Sequence, residues 1–306
     1  MGMTFEYYLS FLDYSQMPEF MQKYLHTESI ERLRYVSYFC GMNYASPFVY
    51  DFSESITRFD HSLSVALLVY RYTHNRLKTI AGLCHDIATP CFSHVIDYMN
   101  GDYVKQESTE EYTRRVILSD KSLLKCFRED GINPEDIINY KKFSVVDNER
   151  PKLCADRLDG IILTGLFWAK NLVISDIEDI LSSVHVFRNE FGEDELGFMN
   201  AEIARRIVKV SDEIDAFCHS KEDIYMMELL ARITKLGIET GLYTYDDLYF
   251  VGEKDIFSML KRSKDKTIIK KLSEFRNIKP EEIPEISIDG LKVRDLNPLV
   301  RGKRLL

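Results

Sequence analysis

The segment SLSVALLVYRYTH, residues 62–74, constrains the fold more than any other. It is apolar on nearly every side of a helix, and such a helix is buried on several sides. It is too short to cross a bilayer. The next segment, RLKTIAGLCHDI (76–87), sets Leu77, Ile80, Leu83, Cys84 and Ile87 three and four apart, which predicts an amphipathic helix. Thr89-Pro90 stops it, because the residue before proline avoids helical geometry. His85 and Asp86 therefore fall near a helix C-terminus, beside a turn.

Most of the remaining chain also reads as helix. FSHVIDYM (92–99) opens one, and Ser108 and Glu111 have capping-box spacing for another over 108–117. Residues 121–150 are polar, with Gly131, Pro134 and Lys141-Lys142, and predict short helices and loops. PKLCADRLDGIILTGLFWAK (151–170) predicts a deeply buried helix that begins with charge, and long amphipathic helices fit 199–219 and 221–241. Strand signals are few: a hairpin over 42–52 beside the site, and short strands over 285–300 around Asp289-Gly290. A composition shift near 244–270 divides the chain into a helical core, 1–243, and a small C-terminal α+β lobe, 244–306. The fold class expected is all-α.

With 45% hydrophobic residues among 306, a substantial core can form. A net charge of −9 disfavours nucleic acid and anionic membranes as partners. Cys40, Cys84, Cys91, Cys126, Cys154 and Cys218 form no C-x-x-C pair and read as buried, reduced thiols. The N-terminal segment has no basic n-region, and Glu6 stands where N-myristoylation wants Ser or Thr. A cytoplasmic location is expected. The basic tail VRGKRLL reads as a solvated end or a homo-oligomer contact.

His61, His85, Asp86 and Asp156 spell H…HD…D. Three predicted helices meeting at one end would gather them, with His61 and Asp156 at helix starts and His85-Asp86 at a helix end. Two imidazoles and two carboxylates can hold one divalent cation, whether Mn, Fe, Ni, Co, Zn or Mg, and leave coordination positions open. A cation so held acidifies its water and polarises a phosphoryl oxygen.

These residues and their surroundings resemble the HD-domain phosphohydrolase superfamily, and most closely its deoxynucleoside triphosphate triphosphohydrolase branch, which includes the SAM-and-HD-domain proteins. ERLRYVSYFCG (31–41) and TRFDHSLSVA (57–66) are similar to the segments around that family's first histidine. LCHDIATPCFSHVID (83–97) resembles its H-D-x-x-x-x-P-F-S-H-x-x-D run, and LKVRDLNPLV (291–300) its C-terminal stretch, with Asn297 where Asp is usual. The resemblance covers roughly residues 25 to 300. It implies an HD-domain helical core with one metal ion at His61, His85, Asp86 and Asp156, within 56–165, and a small phosphorylated substrate, a nucleotide above all.

His94 and Asp97 stand three apart on one predicted helix face, a suitable general acid/base pair. Arg58 and Arg157 match basic positions that meet substrate phosphates in the relatives; the competing reading is ion pairs with Asp60 or Glu54 and with Asp159. The chain also departs from the pattern. Thr89 and Gln106 replace two family histidines, Tyr38 stands where a glutamine meets the sugar, and Gly160, Leu163 and Thr164 follow Asp159 where Tyr, Arg and Asp are usual. The leading expectation is a metal-dependent phosphohydrolase, either dNTP triphosphohydrolase-like or a nucleotide phosphatase. The alternatives are a catalytically decayed nucleotide-binding or regulatory protein and, ranked low, a di-iron HD-domain oxygenase.

Overall fold

The computed structural model describes residues 5–106 and 112–306; the capping box at Ser108 and Glu111 lies outside them. Three short helices come first, α1 (Phe5–Phe11), α2 (Glu19–Leu25) and α3 (Glu28–Arg32). Helix α4 (Arg58–Thr73) starts four residues earlier than its apolar run suggests, because Thr57 and Asp60 close a reciprocal capping box. Eleven of its residues are buried, His61 among them, and it packs mainly on α5 (Arg76–Cys84) and on the helix that carries Asp156. Asn75 caps α5 by accepting from the Lys78 amide.

Helix α6 (Val95–Asn100) follows His94, and α7 (Tyr112–Ser119), α8 (Lys121–Asp130) and α9 (Pro134–Ile138) fill the polar stretch. Helix α10 (Ala155–Phe167) is shorter than the apolar run because Cys154 is its N-cap, its sulfur accepting from the Arg157 amide. After α11 (Ser175–Ser183) come a hairpin, β1 (Val184–Arg188) with β2 (Asp194–Phe198), and the long α12 (Ala201–Cys218) and α13 (Lys221–Glu239). Helices α14 (Asp247–Phe250), α15 (Glu253–Lys261) and α16 (Lys266–Asn277) precede a long irregular tail. Helix occupies 58% of the chain and strand 6%, so the all-α expectation holds.

The strands fall largely elsewhere than expected. Residues 42–52 form a 3-10 turn at Met42–Tyr44 and further turns, not a hairpin. Pro47 has no amide to give a ladder, and the aromatics of this segment stack instead, Phe52 on Phe39 and Tyr44 on Phe257. Residues 285–298 join no strand; the strands are β3 (Leu299–Val300), at the end of the expected stretch, and β4 (Lys303–Arg304), joined at Arg301 and Gly302, both at positive φ. The sheet order is β1-β2-β3-β4, with β2 and β3 parallel. The basic tail is thus stitched into the sheet: Arg304 forks onto buried Glu195 at 2.5 and 2.7 Å and also bonds Glu190.

Two apolar clusters support this arrangement. One gathers α1, α4, α5, α10, α12 and the hairpin around Leu67, Leu68, Ile162 and Phe167. The other gathers α6, α13, α15 and α16 around Phe92, Leu230, Tyr249 and Phe275. Both reach the cavity described next.

Candidate metal centre

Helices α4, α5 and α10 bring the four residues of the H…HD…D pattern together. His61 Nε2 lies 3.0 Å from Asp156 Oδ1 and 3.9 Å from Asp86 Oδ2. His85 Nε2 lies 3.4 Å from the same Asp156 oxygen and 3.8 Å from Asp86 Oδ1. The imidazoles are buried, whereas the side chains of Asp86 and Asp156 are 21% and 35% exposed. The cluster is therefore closed behind the rings and open in front of the carboxylates.

Each ring is oriented from behind. His85 Nδ1 donates to the Gly82 carbonyl at 2.7 Å, which leaves Nε2 as the lone-pair nitrogen. That nitrogen is buried without a hydrogen-bond partner. A lone pair facing carboxylates and no proton is an arrangement that a cation satisfies. His61 Nδ1 bonds Asp159 Oδ2 at 2.7 Å. Asp159 is fully buried; Ser64 Oγ donates to the same oxygen at 2.7 Å, and Tyr8 OH to the other at 2.6 Å. Sequence reasoning gave Asp159 no role at the cluster, although its spacing of three from Asp156 puts both on one face of α10.

Burial opposes charge on all four groups, but their mutual attraction prevails. Asp156 and Asp159 push His61 up to about 10, and Asp86 and Asp156 raise His85. In return, His85, Arg58 and His61 hold Asp86 down, and the His61 hydrogen bond together with the nearby His85 ring holds Asp156 far below the usual range. The donor set, two imidazoles and two carboxylates, suits a divalent cation.

Arg58 is buried against the cluster: Nη1 donates to Asp86 Oδ2 at 2.8 Å and Nε to Ser93 Oγ at 3.2 Å. Neither Asp60 nor Glu54 pairs with it. His94 precedes α6, and its Nδ1 bonds fully buried Asp97 at 2.9 Å, the side chain remaining 40% open. Surrounding protein lowers its pKa against the pull of Asp97. Arg157 turns the other way. Its fork bonds Asn148 and the Lys152 carbonyl, holding the loop before α10, and it makes no pair with Asp159. Tyr38 spends its hydroxyl on the Gly160 carbonyl and Thr164, 3.3 and 3.4 Å away, with its ring 5.2 Å from that of His61. Gln106 accepts from Arg294. A cavity of about 1040 Å³ opens in front of the cluster, lined also by Arg58, His94, Arg157, Trp168 and Asp223.

Fold and site together describe a helical protein with a His/Asp cluster suited to a divalent metal at the base of a large cavity. No family model matches the chain. It is similar to the uncharacterized protein YdhJ of Bacillus subtilis, with 23% identity over 224 residues, which is 72% of this chain and 65% of that protein. It is also similar to the metal-dependent phosphohydrolase cns2 of Cordyceps militaris, with 26% identity over 259 residues, which is 81% of this chain and 73% of the relative. The chain spans just under two thirds of the first relative's length. The second relative's name agrees with the HD-type resemblance at the level of the superfamily. Among the described residues, no helix is long and apolar enough to cross a membrane.

Proposed function

We propose that this chain is a divalent-metal phosphohydrolase that acts on a nucleotide. The observation that carries the reading is the buried, unpartnered Nε2 of His85, facing the carboxylates that also face His61. His61, His85, Asp86 and Asp156 are the ligands, and Asp159 and the Gly82 carbonyl fix the tautomers that keep both Nε2 atoms available. A divalent cation in this setting supplies charge for a phosphoryl oxygen and lowers the pKa of a water. His94, polarised by Asp97 through Nδ1, has Nε2 left to take a proton from the attacking water and pass it to the leaving oxygen. Arg58 balances charge beside Asp86, and Arg157 shapes the wall next to Asp156. The cavity is large enough for a nucleotide, at the upper end of the usual range for small-molecule sites.

Two versions differ in the bond cut. The triphosphohydrolase version rests on the sequence resemblance alone. The phosphatase version is favoured by Tyr38, whose hydroxyl is already taken within the protein, and by Gln106, whose Oε1 accepts from Arg294. Phosphate and tripolyphosphate release from a panel of nucleotides, with Mn, Co, Ni or Mg added after chelation, separates them. Turnover of none, with stoichiometric metal bound, would instead establish a binding protein.

A further inference from the structure

The cavity carries a second group of cations beyond Arg58. Arg150, in the loop before α10, and Arg294, in the tail after α16, both line it. The two segments run together: Asn297 N bonds the Pro151 carbonyl at 2.8 Å, and Arg150 Nη1 bonds the carbonyl of Asp295, the residue next to Arg294, at 3.1 Å. That carbonyl is the only partner of the Arg150 side chain among the described residues. Arg157 stands beside it with every bonded donor on an amide or carbonyl oxygen. Arg294 reaches a carboxylate only at 3.9 Å, on Asp215.

Acids are not scarce on this wall. Asp147, Glu149 and Asp295 also line the cavity, yet none comes within ion-pairing distance of Arg150 or Arg157. Three half-buried guanidiniums thus line one cavity, and of them only Arg294 has a carboxylate, Asp215, within pairing distance. Burial, then Arg157 and Arg294, lower Arg150 to about 10, while Asp156 draws it upward. Asp156 and Arg150 line the same cavity. In a chain of net charge −9, such a cluster is a local feature and not an overall bias. Guanidinium forks match the oxygens of phosphate, and each added negative charge relieves the repulsion among them.

We propose that Arg150 and Arg294 form a second anion subsite, which takes a phosphate group of the substrate other than the one presented to the His61/His85/Asp86/Asp156 cluster. This rests on the phosphohydrolase reading for what lies at the cluster. It narrows the substrate class to nucleotides with at least two phosphates, on one chain or at two positions of the sugar. A monophosphate leaves the subsite empty.

The test uses metal-loaded protein of measured metal content and two probes, orthophosphate and the hydrolysis-resistant imidodiphosphate, in isothermal titration. Wild type is expected to bind imidodiphosphate at least tenfold more tightly than orthophosphate, a preference that Arg150→Gln abolishes with metal content unchanged. Arg150→Lys keeps the charge without the fork and is expected to fall between; it also serves if the glutamine variant does not fold. A nucleoside 5′-diphosphate and a 3′,5′-bisphosphate of the same base, titrated alongside, show which placement of the second phosphate fits. Equal affinity for the two inorganic probes, or a preference indifferent to both substitutions, overturns the proposal. If simple phosphate esters are then still hydrolysed, the catalytic reading survives without the subsite. An Arg150-dependent preference with no turnover of any phosphate compound keeps the subsite and removes the catalysis.

Discussion

Glu253 begins α15, and its carboxylate is buried among backbone amides. Oε2 accepts from Phe92 N at 3.0 Å and Ser37 N at 3.3 Å, while Oε1 is buried with no partner. Phe92 and Ser93 are both left-handed, at φ 66 and 47, a conformation that costs a non-glycine residue energy. Ser93 is the residue whose hydroxyl takes Arg58 Nε. One buried acid therefore braces the strained turn beside the metal cluster. Burial pushes Glu253 up to about 7 from an ordinary 4.5, against the pull of its amide partners. The unfolded chain releases this proton near 4.5 and the native state near 7, so the native state binds more protons in between. The contribution to stability is full below 4.5 and is lost as pH rises to 7. A gap of about 2.5 pH units corresponds to about 3 kcal/mol. Glu253→Gln keeps an oxygen for the two amides and cannot ionise, though its NH₂ inherits the unpartnered position at a cost of about 1–3 kcal/mol. Urea unfolding across the interval, analysed by linear extrapolation, should give a wild type that loses about 3 kcal/mol more than the variant between 4.5 and 7. Asp223, raised by burial to about 6, titrates in the same direction and cancels in the comparison. Parallel curves for the two proteins would refute the argument.

Other perturbations follow from the same contacts. Asp159→Asn removes the carboxylate behind His61 and should weaken metal binding about 10–100-fold, read by competition with a chelating dye; unchanged affinity would deny it an orienting role. His94→Gln should lower kcat by about 10²–10⁴ with metal content intact, and loss of metal instead would make His94 a ligand. Ala at Gly237 would push a Cβ into the Tyr243 hydroxyl, so Gly237→Ala should destabilise by about 1–3 kcal/mol in thermal unfolding. A neutral result would show that the Tyr243 ring can move aside.

The convergence of His61, His85, Asp86 and Asp156 was legible because each sits at the end of a strongly patterned helix, where period and caps can be read locally. What lay behind them was less so. Asp159 could have been suspected from its spacing to Asp156, but Tyr8, which completes its hydrogen bonds from 151 positions away, has no local signature. Arg157 was read as meeting phosphate or Asp159, and its actual partners, Asn148 and a backbone carbonyl, depend on a loop conformation that no side-chain pattern encodes. The hairpin over Val184–Phe198 did carry a signal, since VHVF alternates ahead of the turn-forming Asn189 and Gly192. The aromatics of 42–52 imitated strand residues, and only their stacking in three dimensions shows why they are not.

The cavity is walled by both apolar clusters. Phe39, Ile161 and Ile214 come from one, Met42 and Met227 from the other. Any molecule that fills it touches both halves of the interior at once and acts as a non-covalent rivet between them. Occupancy should then raise the melting temperature of the whole chain in step with ligand concentration and fuse the unfolding of the two clusters into a single event.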